Sequence, residues 1–399
     1  MSPRAFVSVR PVPVGPIVPQ DDGVAWMRAA LERAAPADTH PEAARAQRLY
    51  ALVARQSTVG SRATCLADYT HTDWEAMDLF AVPHAGDGQA APGAPRPWLR
   101  PSLEERMEVF AQTALDAARD AFDADTDAPD ALLQVSCTGY DSPTAAQHVA
   151  LEKGWGAQTR LLHVGHMGCY AALPALATAA DLASAAAARR AIAGDQDPAA
   201  ARASVFLVEL CTLHHKVDAT APEVIVQQCL FADGAARLDV TAAAPADPAL
   251  RARAFALLDH SETLVPDTLG EMTWRVADSA FAMTLSRAVP DRLREGLAGA
   301  VSDLLDRHGL TPETVDVAAV HPGGPRVIEA TADALGLTDA QVRHSQSVLR
   351  DRGNMSSTTL PHIWSRIAND DSVPAGATVL SLAFGPGLTV AANLLRKGC

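Results

Sequence analysis

Along most of the chain, stretches whose apolar residues recur every three to four positions alternate with short unbroken apolar runs, the patterns of helices and buried strands. After a proline-rich, extended stretch from Val12 to Asp22, residues 20–35 take a helix-forming pattern. SLEERMEVFAQTALDAARDAF (102–122) opens with Ser102 and Glu105 at capping-box spacing and keeps helical intervals, which predicts a helix. ALLQVSCTGY (131–140) is a short apolar run closed by glycine and predicts a buried strand entering a turn. A further strand is predicted from Arg160 to Val164, then a helix from the Cys169 segment through about Ala187, then a surface connection around Gly194 and Pro198. SVFLVELCTLHH (204–215) and VIVQQCLFADGAARLDV (224–240) read as strands, the second pivoting at Asp233-Gly234.

The alternation restarts after Ala243. It predicts helices at 291–308, 326–335 and 359–368, a strand from Val315 to His321, and a long strand pattern over ATVLSLAFGPGLTVAANLL (377–395). Such alternation implies an α/β fold in layers around a largely buried sheet. Each half closes on an apolar run, a phenylalanine, a glycine pivot and a second apolar run, at 227–240 and 380–394. A duplicated architecture follows, with an N-terminal half over 1–240 and a C-terminal half over 241–399. Between the first elements, PHAGDGQAAPGAPRPWLRP (83–101) is dense in Gly and Pro and reads as a loop.

Composition narrows the function. The chain has 399 residues, 48% of them hydrophobic, enough for a large core. Its formal net charge of -14, with no cluster of Lys or Arg, excludes nucleic acid as the expected partner. Neither a signal-peptide core near the N-terminus nor an apolar run of membrane-spanning length is found, so a soluble cytoplasmic protein without a membrane partner is expected. The six cysteines (65, 137, 169, 211, 229, 399) form no C-x-x-C pair, which argues against a zinc site and a disulfide framework, and no metal is expected.

One of those thiols stands apart. In HVGHMGCYAALPAL, Cys169 follows a strand and a glycine and enters a helix, where unpaired N–H groups would ease loss of its proton. A buried core thiol is the competing reading. His321 ends an apolar strand before Pro-Gly-Gly-Pro, and Asn354 follows Gly353 ahead of a hydroxyl-rich helix start. Both are polar groups at strand or loop ends, where a catalytic chamber receives them. Taken singly, His321 also fits a satisfied core histidine and Asn354 a helix cap. The pairs His214-His215 and His163/His166 are expected to straddle strands and so not to share a metal.

The blocks GHMGCYAALPAL, LFADGAA, AVHPGGPRVIEA, RGNMSSTTL and FGPGLTV, in this order and spacing, resemble the type III polyketide synthases of the chalcone synthase family. The likeness is strong over about 131–395 and loose over the first hundred residues. The resemblance implies a five-layered αβαβα thiolase fold with two pseudo-duplicated halves, a homodimer, and substrates that are a starter acyl-CoA and malonyl-CoA. It implies no cofactor beyond these CoA thioesters. Motif by motif it assigns Cys169 as nucleophile, with His321 and Asn354 completing the triad. It assigns Phe231 as a gate between tunnel and cavity, and puts a second gate near Met283, with Phe281 two residues away. Cys137, His214, Trp274 and Ser356 fall on cavity positions, and Gly385 and Pro386 on the glycine-rich turn beside the substrate. His214 and Trp274 are bulkier than the plant residues at those positions, which implies a smaller cavity and fewer condensations, or a chain turned into another channel. Arg326, Arg55 and Arg62 are the candidates to meet CoA phosphates at the tunnel mouth.

Three other readings stay open on sequence alone. A stand-alone ketosynthase would take its acyl chains from acyl carrier protein. A cysteine hydrolase also carries Cys, His and Asn in this order but would cleave substrate without consuming malonyl-CoA. A catalytically silent partner of another ketosynthase would leave Cys169 unacylated.

Overall fold

The computed structural model describes residues 3–38, 40–82 and 101–398. The loop predicted at 83–101 lies, but for Pro101, outside them. The elements in chain order are β1 (Ala5–Val12), β2 (Ile17–Pro19), α1 (Gln20–Ala34), α2 (Pro41–Gln56), β3 (Ser61–Ala63), α3 (Leu103–Phe122), β4 (Ala131–Ser136) and α4 (Ala145–Glu152). Then come β5 (Arg160–Gly165), α5 (Ala172–Ile192), β6 (Arg202–Leu210), α6 (Pro222–Gln228), β7 (Asp233–Thr241), α7 (Pro248–Arg253) and β8 (Phe255–Leu264). The chain closes with β9 (Met272–Val276), β10 (Phe281–Leu285), α8 (Val289–Asp306), β11 (Val317–Val320), α9 (Pro325–Leu335), α10 (Asp339–Arg352), α11 (Thr359–Ala368), β12 (Thr378–Gly385) and β13 (Thr389–Lys397).

Nine strands form one ladder in the order β11-β12-β13-β8-β1-β7-β6-β4-β5. Read outward from the β8–β1 junction, its two arms repeat each other. β7 and β13 lie antiparallel to β1 and β8, β6 and β12 antiparallel to those, and β4 and β11 parallel to β6 and β12. Alternate residues of each strand serve different layers, as the two-residue period of a strand requires. Leu133, Val205 and Leu238 of one arm, and Val317, Val379 and Leu395 of the other, pack with α5 and α11 in a central core. Leu132, Phe206 and Ala235 face outward onto α1–α4, while Ala318, Leu382 and Leu394 face α8–α10. The result is five layers, αβαβα, the thiolase architecture.

Local chemistry explains several elements. At α3, Ser102 accepts from the Glu105 N–H and Glu105 accepts from the Ser102 N–H, the predicted capping box. Elsewhere the pattern misled. Residues 222–228 are helical, because Pro222 at the first helical position fixes φ and only Ile225 and Gln228, three apart, are buried. The first of the two glycine-pivot patterns is therefore a helix and turn feeding β7, whereas the second, β12–β13, is a hairpin. The strand predicted over 204–215 ends at Leu210 and passes into a 3-10 turn over Cys211–His214. Helix α5 runs to Ile192, beyond the predicted end. Among the described residues, no helix is long and apolar enough to cross a membrane, and no group of three His, Cys, Asp or Glu could hold a metal ion.

Candidate active site

Six residues join β5 to α5, and their backbone is shaped by contact with the far arm of the sheet. His166 and Gly168 take φ of 59° and 88°, the left-handed region. A Cβ at Gly168 would lie 2.8 Å from Pro386 Cδ, and one at Gly385 would enter the Tyr170 ring. The turn over 384–387 thus closes directly onto the loop that carries Cys169, which is why Gly385 and Pro386 belong to this site.

Cys169 is half-buried, and the Ser356 hydroxyl donates to its sulfur at 3.7 Å. Burial pushes the thiol up to about 12; the Ser356 bond pulls it down, and the buried Glu209 carboxylate pushes it further up. Its own backbone N–H also pulls the thiol down, but desolvation outweighs it; helix α5 begins only at Ala172, so the sulfur precedes the first turn.

His321 stands where β11 stops, its backbone N–H donating to Leu382 O at 2.7 Å. It is buried, neither ring nitrogen has a partner among the described residues, and burial, the one cause acting on it, pushes it down to about 3. Asn354 is locked by its backbone, with its N–H to Leu230 O at 2.9 Å and its carbonyl accepting from Ala232 N–H at 2.8 Å. Its Oδ1 accepts from the Ser356 N–H at 2.9 Å, helped by Ser356 at φ 51°, while its Nδ2 has no partner among the described residues. Asn354 is not the helix cap that the sequence allows: the N-caps that follow are Met355 and Thr358, and its oxygen closes a local turn onto Ser356 instead. A buried donor remains, and such a group is costly unless something occupies it.

Ser356 ties these groups together. Its N–H reaches Asn354, its hydroxyl reaches Cys169, and Cys137 Sγ lies 3.3 Å from the same hydroxyl. Behind it stands Glu209 of β6, which the sequence reading missed. Fully buried, it accepts from the Cys137 N–H at 3.0 Å, the Thr138 hydroxyl at 2.8 Å and the Ser357 hydroxyl. The signal was a lone carboxylate inside the apolar run VFLVEL.

A cavity of about 150 Å³ opens on Cys169 and Ser356, and Cys137, Phe231, His214, Trp274, Phe281, Met283 and Pro386 line it too. His321, Asn354 and Gly385 do not line it; Asn354 connects through Ser356 and through its bridge to Phe231. Phe281 stacks on His214 at 4.4 Å, and Trp274 meets both edge-on. Trp274 Nε1 donates to Cys137 O at 2.5 Å, so this indole is fixed as a wall. His214 is saturated: Nε2 donates to Thr138 O at 2.7 Å and Nδ1 accepts from Phe281 N–H at 3.0 Å. The alternation expected of His214-His215 fails because both sit at a 3-10 turn, and both line the cavity.

The arginine candidates divide. Arg55 and Arg326 are exposed. Arg62 is 5% exposed, and its guanidinium donates to Gln20 Oε1 at 2.8 Å, Gln228 O at 2.5 Å and Phe231 O at 3.2 Å. It is therefore not at a tunnel mouth; it holds the segment that presents Phe231, with its Nε and Nη1 donors engaged there. Arg62→Met leaves those three acceptors unpaired and is expected to cost about 3 kcal/mol of stability, with the KM for CoA thioesters unchanged. Thermal unfolding alongside steady-state kinetics checks this: a raised KM at unchanged stability would restore the phosphate role.

Residues 256–398 match the family described as chalcone and stilbene synthases, C-terminal domain. A 1,3,6,8-tetrahydroxynaphthalene synthase of Streptomyces peucetius subsp. caesius is 30% identical over 289 residues, 72% of each chain. An "alpha-pyrone synthesis polyketide synthase-like Pks18" of Mycobacterium tuberculosis is 29% identical over 266 residues, 65% of this chain and 63% of that one. Among solved structures, PKS-I of the brown alga Ectocarpus siliculosus superposes with a TM-score of 0.78 at 22% identity, covering 98% of both chains. The tetrahydroxynaphthalene synthase of Streptomyces coelicolor A3(2) gives 0.73 at 22% identity, covering 99% of both.

Proposed function

This chain belongs to the chalcone and stilbene synthase family, the type III polyketide synthases, and from that premise we propose that Cys169, His321 and Asn354 carry its chemistry. The observation behind this reading is the linkage through Ser356, which ties a cavity-facing thiol to an amide whose only free group is a buried donor.

The Cys169 sulfur attacks the thioester carbonyl of a starter acyl-CoA, and its proton passes by way of the neutral His321 to the departing CoA thiolate. The acyl–sulfur bond on the enzyme replaces the acyl–sulfur bond to CoA. Malonyl-CoA then loses CO2, and the electron pair of the broken C–C bond becomes an enolate. Its oxygen accepts from the ring N–H of His321 and from Asn354 Nδ2, both otherwise unpartnered. The enolate carbon attacks the acyl carbonyl, Cys169 leaves as thiolate, and the chain, longer by two carbons, returns to CoA. No group beyond the CoA thioesters enters these steps.

Space limits the product. A void of about 150 Å³ takes roughly one benzene-sized group, and the fixed walls of His214, Trp274 and Phe281 bound it. A short chain released as a pyrone or a single phenolic ring fits that room. Arg326 and Arg55 remain the candidates for CoA phosphates. The homodimer is assigned to the edge strand β5, whose sequence RLLHVG carries one charge and whose outer backbone groups have no strand neighbour among the described residues. The expected setting is the cytoplasm, where CoA thioesters are available.

Intact-protein mass spectrometry tests the reading, with acyl-CoAs from acetyl to long-chain and aromatic, and malonyl-CoA added second. One acyl adduct on Cys169 that grows or is released as a ring is expected. Loading only from acyl carrier protein would favour the ketosynthase reading, and no loading from either donor would refute the nucleophile assignment.

A further inference from the structure

His215 carries a feature that none of the roles above uses. Its ring is 4% exposed and lines the cavity that opens on Cys169. On its other side the Tyr69 hydroxyl lies 2.5 Å from Nδ1, with the two rings edge to face at 88°. Tyr69 is itself buried, and this imidazole is the one acceptor within reach of its O–H among the described residues. The phenol therefore donates to Nδ1, which puts the ring proton on Nε2. That Nε2 has no partner among the described residues.

Two of the neighbouring polar side chains are already occupied. His214 has both nitrogens bonded, and Gln228 donates to Tyr50 and accepts from the Lys216 N–H. A buried N–H with no acceptor, on the wall of this cavity, calls for an acceptor that arrives with the ligand. Burial and the nearby Arg62 and Arg106 push the imidazole well down, so the donor is a neutral N–H.

We propose that His215 is a specificity-determining residue whose Nε2–H binds a keto oxygen of the extended chain, with Tyr69 as the positioning residue that fixes the tautomer. This rests on the synthase reading above. A starter acyl group loaded on Cys169 has no keto oxygen beyond its thioester carbonyl. The first keto group appears after one condensation, so His215 acts on extended chains and leaves loading untouched. Neither the sequence reading, which set His214-His215 aside on strand alternation, nor the triad accounts for this donor.

The test compares wild type with His215→Phe, His215→Gln and Tyr69→Phe, using the starter acyl-CoA that loads best. Acyl loading on Cys169 and CO2 release from malonyl-CoA are measured beside the ratio of ring-closed to truncated product. His215→Phe keeps the ring shape and loses the donor. It is expected to lower that ratio about tenfold with loading within twofold of wild type. The Gln amide reaches the Nε2 position and can donate, so His215→Gln is expected to recover most of the ratio. Tyr69→Phe, which releases the tautomer, falls between. An unchanged ratio in His215→Phe overturns the proposal. So does loss of loading and product together in both His215 variants, since that is what a packing residue would give. Should His215→Phe not fold, a wild-type ratio in Tyr69→Phe also overturns it. Absence of condensation in wild type would instead refute the synthase reading beneath it, and is seen before any variant is compared.

Discussion

Cys169→Ala is expected to take up no acyl group from any CoA thioester and to lose condensation by about 10⁴-fold or more, the scale on which enzymes lose a covalent nucleophile. Cys137 lies against the same Ser356 hydroxyl and Cys211 is also on the cavity wall, and burial and the Glu209 carboxylate push both thiols up as they do Cys169. What separates Cys169 from them is access: it is half-buried, whereas Cys137 and Cys211 are buried. The pH profile of loading adds a second readout. Cys169, pushed up to about 12, keeps its proton until strongly alkaline pH, and His321, pushed down to about 3, takes one up only in acid. Neither titrates between about pH 5 and 9, so the loading rate is expected to be flat there, the proton moving as sulfur attacks. A standing thiolate–imidazolium pair would place at least one limb of the profile inside that window. Stopped mass spectrometry across that range separates the two; surviving adduct in Cys169→Ala would overturn the assignment.

What the sequence made legible follows from the reach of each interaction. Periodicity found α3, α8, α9, α11 and β4, because an amphipathic helix or a buried strand repeats within a few residues and its ends are capped locally. It misread 222–228, where three β-branched or apolar residues in a row look like a strand while only Ile225 among them is fully buried. It did not anticipate α10, in which polar residues such as Gln341, His344 and Ser345 are buried against the neighbouring sheet arm. Motifs located the three residues proposed for catalysis, because each sits at a glycine-marked turn. Partners far apart in sequence were not visible. Arg62 is held by carbonyls 166 and 169 residues away, and Glu209 meets Cys137 and Ser357 across 72 and 148 residues. No local spacing encodes such meetings, so the sequence offers Arg62 for a tunnel mouth and does not mark Glu209. The same limit makes His214 legible and not His215. Which imidazole has a free nitrogen depends on Thr138, Phe281 and Tyr69.

Asn354→Asp separates the decarboxylation step from every structural duty of this residue. The substitution is isosteric, and the remaining carboxyl oxygen can still accept from the Ser356 N–H as Oδ1 does at 2.9 Å. The backbone bonds to Leu230 and Ala232 are untouched. What disappears is the Nδ2 donor, replaced by an oxygen that cannot donate when ionised and repels an enolate. Removing one such donor costs about 100- to 1000-fold in rate, so CO2 release from malonyl-CoA is expected to fall by at least that factor. Starter loading needs the thiol and the imidazole, not this amide, and should change by less than about tenfold. Asn354→Ala should show the same split, with some added loss of stability because the Ser356 N–H is then unpaired in a buried site. Rapid-quench measurement of CO2 against acyl-enzyme formation decides the matter. Equal loss of both steps would mean that Asn354 organises the Cys169 loop as a whole. A selective loss assigns the enolate oxygen to its amide, and leaves His321 as the one group serving both the sulfur and the enolate.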